Sequence, residues 1–448
     1  VTAVATLAGR HTPLDESLRR LRTLVSPYSG LIRGVTELTA APDDARLVRV
    51  ACHVADLEPL IGVDTDLRPG GSAADRDTAI AATIGEVAER YSGAWVPRGL
   101  PLATANELPG AVDPERFSLF HPTQHAQPRF PFRAFTGRTR LRWTPAIALP
   151  SGEAAYVPAQ LVYLRWRSPA DTGEEAIAYS TSNGVACGAT FDEAVASALL
   201  ELLERDAFML TWYGRHSFPR LDWSADPALA PFDARYFRPS SVQYAAVDLS
   251  VFHDVPTVLG IVRGSAGDGA PLAVGAAARA TLGEAWIGAL AEAFAVRSWA
   301  RAMSHERGRR TFEPDFADID GFDDHVAFYA DESNTCHADF LDASDVTRGT
   351  ADVSPLEGAT AEQQIAALCA RLAARGMSAY AVDVTAPDVV AAGLRVARVI
   401  VPELQPLDVA YAGRFLGGRR LYRGAFELGL RASPMTLQDL NPYPHPFP

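Results

Sequence analysis

Two segments of the chain, "IGEVAERYSG" and "ALLELLERDA", each carry the pattern E-x-x-E-R, as Glu86, Glu89 and Arg90 and again as Glu201, Glu204 and Arg205. On a helix at about 100° per residue, Glu193, Ser197, Glu201 and Glu204 fall within an arc of roughly 80° and share one face. The other faces are mostly Ala, Val and Leu, and the only cation four residues on is Arg205, opposite Glu201. Glu193 and Glu204 have no relief within the helix, so the stripe must face water or meet a cation. A structural use exists, because Thr190 and Glu193 match the T-x-x-E capping box. Two apolar helices with matching acid pairs point instead to converging ligands. Oxygen-only sites of that kind suit Mg²⁺, the hard ion that accompanies nucleotide phosphates. Arg90, Arg205 and Arg297 could grip phosphate oxygens by paired hydrogen bonds. This would be a Mg-nucleotide site without a P-loop.

The composition removes several other chemistries. No lysine occurs among the 41 basic residues, which excludes a Walker A loop, a Schiff-base lysine and the kinase ion-pair lysine. A GC-rich genome accounts for such a bias. The formal charge of −13 is spread along the chain and excludes nonspecific nucleic-acid binding. Cys52, Cys187, Cys336 and Cys369 are far apart, form no C-x-x-C and fit a reducing cytoplasm. No apolar run approaches the roughly 18 residues of a membrane span and no signal-peptide pattern opens the chain, so a soluble protein is expected. The first residue is Val1, so a few N-terminal residues are expected to be missing.

The elements that must position these groups alternate between strand and helix patterns. "LDESLRRLRTLV" reads as an amphipathic helix, "GLIRGVTEL" and "ARLVRVACHVAD" as strands, and "RPGGSAADRD" as a break before the first acidic helix. In "LRWTPAIALPSGEAAYVPAQ" the P-S-G-E marks a hairpin turn, and "RGSAGDGAP" reads as another. "SVQYAAVDLS" and "PTVLGIVRG" precede a third long helix, "TLGEAWIGALAEAFAVRSWARAM". The whole predicts a mixed α/β or α+β arrangement without a linker. His121 and His125 have the spacing of a helical metal pair, but Pro122 opposes a helix there and a loop pair is the expectation.

With these motifs together, the chain resembles the YcaO family, and more closely its azoline-forming cyclodehydratase branch, the D proteins of ribosomal peptide natural-product pathways. The resemblance covers nearly the whole sequence. It is carried by "SNGVACGATFDEAVASALLELLERDA", "AATIGEVAERYSG", "SLFHPTQHAQPRFPF", "ALAEAFAVR" and the tail "NPYPHPFP", similar to a P-x-P-x-P ending. It implies an α/β YcaO-type fold, commonly homodimeric, with a non-P-loop ATP site between acidic helices. Residues 1–60 would form its N-terminal part, 61–435 the catalytic core and 436–448 a Pro-rich tail reaching the active site. The magnesium carboxylates would be Glu86, Glu89, Glu193, Glu201 and Glu204, with Ser197, Arg90, Arg205, Glu292 and Arg297 near the nucleotide. Three positions depart from the family pattern. "GGSAADRD" replaces G-K-G and leaves Arg76 as the nearby cation, Ala295 stands for the glutamine of E-x-x-Q-x-R, and Ala189 replaces a polar nucleotide contact.

The reaction so implied begins with a Cys, Ser or Thr side chain of a precursor peptide attacking the preceding amide carbonyl. ATP phosphorylates the resulting oxyanion, and phosphate leaves to give a thiazoline or oxazoline. Arg205 belongs to the implied catalytic set, and His445 and the carboxylate of Pro448 are the candidate bases. A ThiF-like or leader-binding partner protein is expected, since no zinc tetrad or spare N-terminal domain is present, and a flavin-dependent azoline dehydrogenase would be a further polypeptide. The rival readings are a thioamide- or amidine-forming member of the same family, which generally lacks the P-x-P-x-P ending, and a non-catalytic scaffold. By composition alone, the tail would be a frayed polyproline terminus.

Overall fold

A computed structural model describes residues 12–62, 69–167, 172–240, 242–265, 267 and 269–447. Within them three sheets and three long helices enclose one cavity. The first sheet, in order β1–β2–β3, joins β1 (Ile32–Leu38), β2 (Val48–Val54) and β3 (Gly70–Ala73), antiparallel throughout. The second includes β4 (Leu102–Ala103), β5 (Leu141–Leu149), β6 (Ala154–Pro158) and β7 (Val185–Gly188). It is ordered β4–β5–β13–β14–β7, with β6 paired to β5. The third holds β8 (Arg220–Asp222), β9 (Gln243–Asp248), β10 (Thr257–Arg263), β11 (Leu272–Ala278) and β12 (Thr347–Gly349), ordered β11–β10–β9–β8–β12. The late strands β13 (Ala379–Asp383) and β14 (Arg395–Ile400) thus complete the middle of the second sheet. Both hairpins read from the sequence form, β5 with β6 and β10 with β11.

The acidic helices span Arg76–Ala94 and Phe191–Gly214, and the third runs Leu282–Arg307. Each starts at a side-chain cap: Asp75 accepts from the Thr78 amide, Thr190 from the Glu193 amide, and Thr281 forms a full capping box with Glu284. Caps of this kind contribute about 1 kcal/mol each, and here they also fix where the helical phase begins. Once the phase is set, the apolar faces determine the packing. The Phe191–Gly214 helix lies between sheets, against β7 and β14 on one side and β11 on the other, which explains why its polar stripe is narrow. Leu282–Arg307 covers β10 and β11, where Gly260 and Gly275 allow close approach: a Cβ on either would fall within 2.7 Å of the helix backbone.

Two local expectations are corrected. "GGSA" does not only break the pattern; it is β3, because a glycine at 71 can pass where a Cβ would sit 2.5 Å from the Ala79 carbonyl oxygen. Residues Pro122–His125 do form one helical turn, with Pro122 at its first position, where its missing N–H costs nothing. His121 caps that turn, and His125 Nδ1 lies 3.2 Å from the Phe132 carbonyl oxygen, so the two rings serve different local contacts.

One buried ionic junction ties the second acidic helix to the C-terminal region. Asp206 accepts from Arg420 Nε at 2.9 Å, from His253 Nε2 at 2.8 Å and from the Gln405 amide at 2.8 Å. Burial pushes its carboxyl up, but Arg420 and His253 outweigh that and hold it well below the usual carboxylate range. Burial keeps His253 below its usual value, so it stays neutral and Arg420 is the ionic partner. Both groups have depressed folded-state values. The unfolded chain therefore binds more protons as pH falls, and the stability they supply near neutrality is lost progressively below about pH 6.5 and more steeply below about pH 4. Asp206→Ala strands a buried guanidinium and should cost about 3–5 kcal/mol in denaturant unfolding at pH 7. The same variant should flatten the acid limb of the stability profile; an unchanged limb would remove Asp206 from that role.

Candidate active site

The cavity enclosed by the three helices has a volume of about 460 Å³, within the usual range for a small-molecule site. Small residues make the room: Ala81, Ala82 and Gly85 on the first helix, and Gly288, Ala291 and Ala295 on the third. Gly70, Gly71 and Ser72 of β3 and Cys187 and Gly188 of β7 close its walls. Five carboxylates stand on the lining, Glu89, Glu201, Glu204, Glu284 and Glu292, together with Ser197, Arg205 and Arg279.

Burial raises the Glu89, Glu201 and Glu292 carboxyls inside. Burial, aided by Glu201 and Glu86, pushes the Glu89 carboxyl up to about 8 even though the Cys187 amide donates to it at 2.8 Å. Burial likewise raises Glu201 to about 7, with Arg205 pulling down and Glu204 pushing up. Glu292 is raised by burial, then lowered in part by Arg205, while the Ala276 amide donates to it at 2.7 Å. Arg205 Nη1 lies 3.2 Å from Glu204 Oε1 and Nε lies 3.9 Å from Glu201. That contact is an ion pair without hydrogen-bond alignment, since Glu204 Oε1 and Arg205 Nε and Nη1 are all buried with no hydrogen-bond partner among the described residues. Glu204 Oε2 accepts from the Ala278 amide at 3.1 Å, with Arg279 at 3.9 Å.

The structure brings together only part of the set read from the sequence. Glu86 is one turn from Glu89, off the lining, paired with Arg90 at 3.3 Å; its carboxyl is raised by burial and lowered in part by Arg90. Glu193 is turned away: its carboxylate accepts from the amides of Thr12 at 2.7 Å and Ala189 at 3.0 Å. Its position in the first turn, beside free backbone N–H groups, draws it there. Arg297 is not brought to the cavity; it is 1% exposed and bound to Asp43 at 3.0 Å and Asp44 at 2.9 Å. Arg76 is exposed and paired with Glu37 at 3.1 Å. His445 is also off the lining, buried and held well below the usual histidine range by that burial and by His325, on which it stacks at 4.0 Å. Pro448 lies outside the described residues. Arg279 was missed by the sequence reading, although a cation two residues before the cap Thr281 was a usable signal.

The tail is ordered up to Phe447. Trp212 Nε1 donates to the Tyr443 carbonyl at 3.1 Å, the Tyr329 hydroxyl to Pro444 at 2.7 Å, and His325 Nδ1 contacts the His445 carbonyl at 2.9 Å. Phe447, fully buried, packs on Phe208 at 4.8 Å and beneath the Arg205 guanidinium at 4.2 Å. A frayed terminus is excluded for these residues.

A match to the YcaO cyclodehydratase family, described as ATP- and Mg²⁺-binding, spans residues 70–405, and the chain belongs to that family. It is similar to a structure of a "Heterocyclase in complex with substrate and Cofactor" at a TM-score of 0.78 and 22% identity, over 99% of this chain and 59% of that one. It is similar also to YcaO from Methanopyrus kandleri bound with AMPPCP and Mg²⁺, at 0.61 and 19%, over 90% of this chain and 94% of that one. An uncharacterized protein of Methanothermobacter thermautotrophicus is 28% identical over 43% of this chain and 46% of its own length. The chain thus spans about half to three-fifths of the first relatives it matches. Among the described residues no helix is long and apolar enough to cross a membrane.

The residues present fit ATP and Mg²⁺. Among the described residues no three acidic, His or Cys side chains form a ready-made metal cage. Mg²⁺ keeps several waters and takes one or two carboxylates plus phosphate oxygens, so an open carboxylate-lined cavity suits it better than a cage would. The unaligned donors of Arg205 suit phosphate oxygens in the same way. Phe447→Ala should release the tail: losing a buried ring costs about 3 kcal/mol, which speeds hydrogen exchange at the amides of Tyr443, His445 and Phe447 roughly a hundredfold. Unchanged exchange would show that the ring is not the anchor.

Proposed function

We propose that the chain is an ATP-dependent cyclodehydratase that turns Cys, and by the same chemistry Ser or Thr, residues of a precursor peptide into thiazolines or oxazolines. The observation that carries this reading is Arg205: one guanidinium lines the carboxylate-walled cavity and rests on the ring of the penultimate residue of the tail. ATP supplies the phosphoryl group that makes an amide oxygen a leaving group, and Mg²⁺ offsets the phosphate charge. Glu89, Glu201, Glu204 and Glu292 would hold the metal, with Glu86 next to them holding Arg90. Ser197, Arg205 and Arg279 would meet the nucleotide. Arg205, already desolvated, would stabilise negative charge developing on the transferred group without reorganising. His445, buried and neutral, supports the tail as an anchor rather than as a base. The partners proposed are the precursor peptide and a separate leader-binding protein.

The ordered tail supports the azoline-forming branch over thioamide or amidine formation. The test is mass spectrometry with phosphate release, using the purified chain, Mg·ATP and peptides encoded beside its gene together with any neighbouring leader-binding protein. Ring formation should appear as loss of one water per ring with matching ATP turnover. Glu204→Ala should reduce both by at least about a hundredfold, in line with loss of a transition-state electrostatic contact. Peptide binding without any ATP turnover would favour the scaffold reading.

A further inference from the structure

Arg205 lines a second cavity, of about 80 Å³, and among the described residues it is the only one that the two cavities share. The second cavity lies between β14, the segment before β7 and the loop that follows β14, with apolar walls from Phe117, Leu161, Leu202 and Phe415. Its polar wall is unusual. Asn183, Arg398 and Gln405 are each at most 7% exposed, and each keeps a buried polar atom with no hydrogen-bond partner among the described residues: Asn183 Nδ2, Arg398 Nε and Gln405 Oε1. Other groups of Arg398 and Gln405 are engaged. Arg398 donates to the carbonyls of Thr181 at 2.6 Å and Leu161 at 2.7 Å, and Gln405 Nε2 donates to Phe415 at 2.7 Å. These bonds fix the Arg398 and Gln405 side chains in place, so their open atoms are held rather than adrift. Arg205 adds Nε and Nη1, which have no aligned hydrogen-bond partner among the described residues.

Leaving such groups without partners costs about 1–3 kcal/mol each, so the cavity is built for a polar occupant. The set offers donors from Asn183, Arg398 and Arg205 and an acceptor from Gln405. An anion would leave Gln405 Oε1 facing like charge, whereas a neutral amide satisfies both kinds, its carbonyl oxygen accepting and its N–H donating. The volume, about a sixth of that of the neighbouring cavity, suits a backbone amide with a short side chain better than one with an aromatic or long aliphatic side chain.

We propose that this pocket receives the backbone amide and short side chain of the residue to be cyclised, with the reacting carbonyl turned toward Arg205. The assignment rests on the ring-forming reading above and adds the place of the substrate: nucleotide on one side of Arg205, peptide amide on the other. It also gives a physical reason for a Cys, Ser or Thr limit at that position.

The test uses the full chain with Mg²⁺ and AMPPCP and two probes, N-acetyl-glycyl-cysteinamide and N-acetyl-glycyl-phenylalaninamide, titrated by ligand-observed NMR. The cysteine probe should bind saturably and the phenylalanine probe should not. Asn183→Leu and Gln405→Met each remove an open polar atom at similar volume. Each should weaken the cysteine probe roughly tenfold, while Mg·AMPPCP affinity stays unchanged and reports an intact fold. Equal binding of both probes, no saturable binding by the unaltered chain, unchanged binding in the variants, or parallel loss of nucleotide affinity would each overturn the proposal and leave the pocket to ordered water. Probe binding without ring formation from any peptide would instead sink the ring-forming reading and leave the pocket standing.

Discussion

The arrangement depends on keeping one guanidinium, Arg205, buried among carboxylates without a complete set of hydrogen bonds. A buried cation needs compensation, and Glu204 and Glu201 supply charge while Phe447 supplies a ring face. None of these partners aligns with Nε or Nη1, so donors remain for a ligand. The adjacent residue, Asp206, is fully satisfied by Arg420, His253 and the Gln405 amide. One helix turn therefore carries a saturated ionic anchor beside an unsaturated functional group. The anchor holds the helix so that the functional group need not hold it.

The same division governs the acidic residues. Those doing structural work find backbone amides or arginines: Glu193 sits on the Ala189 and Thr12 amides, and Asp43 and Asp44 pair with Arg297. Those on the cavity have fewer partners than their burial demands, which is why Glu89 and Glu201 are pushed up. Like charges kept in a desolvated space store an affinity for a cation. The small residues of the first and third helices turn that affinity into a site by leaving volume beside it.

The helices, both hairpins and the common face of Ser197, Glu201 and Glu204 were legible because each rests on local periodicity, caps or turn chemistry. Residues whose role depends on distant partners were not. Arg297 has the spacing of a ligand on its own helix, and only the fold brings the Asp43–Asp44 pair to it, more than 250 positions away. Glu193 shares the stripe by angle, yet its place in the first turn makes the amides nearer than the cavity. The segment "GGSA" looked like a break because glycine is poor in strands, and the demand that overrides propensity is the close passage of β3 over the Ala79 carbonyl. The tail read as frayed by composition alone because its anchors, Trp212, Tyr329 and His325, belong to other segments.

Arg279 bears on the positions where the sequence departs from its family. The segment before the first acidic helix has no lysine, and Arg76 there turns out toward Glu37. Arg279 enters the cavity from the opposite wall, just past β11, with one guanidinium nitrogen on the Ala278 carbonyl at 2.8 Å and Glu204 at 3.9 Å. Gly288 faces the same wall: a Cβ there would lie 2.9 Å from the Ala277 side chain, so its absence lets the third helix pack closely on β11 beside Arg279. An arginine is well suited to such a place, because its planar fork can keep one donor on a carbonyl and still present others to phosphate. A lysine brought from the first helix would be a single flexible point charge. The cavity thus draws this cation from the same wall whose amides at Ala276 and Ala278 hold Glu292 and Glu204.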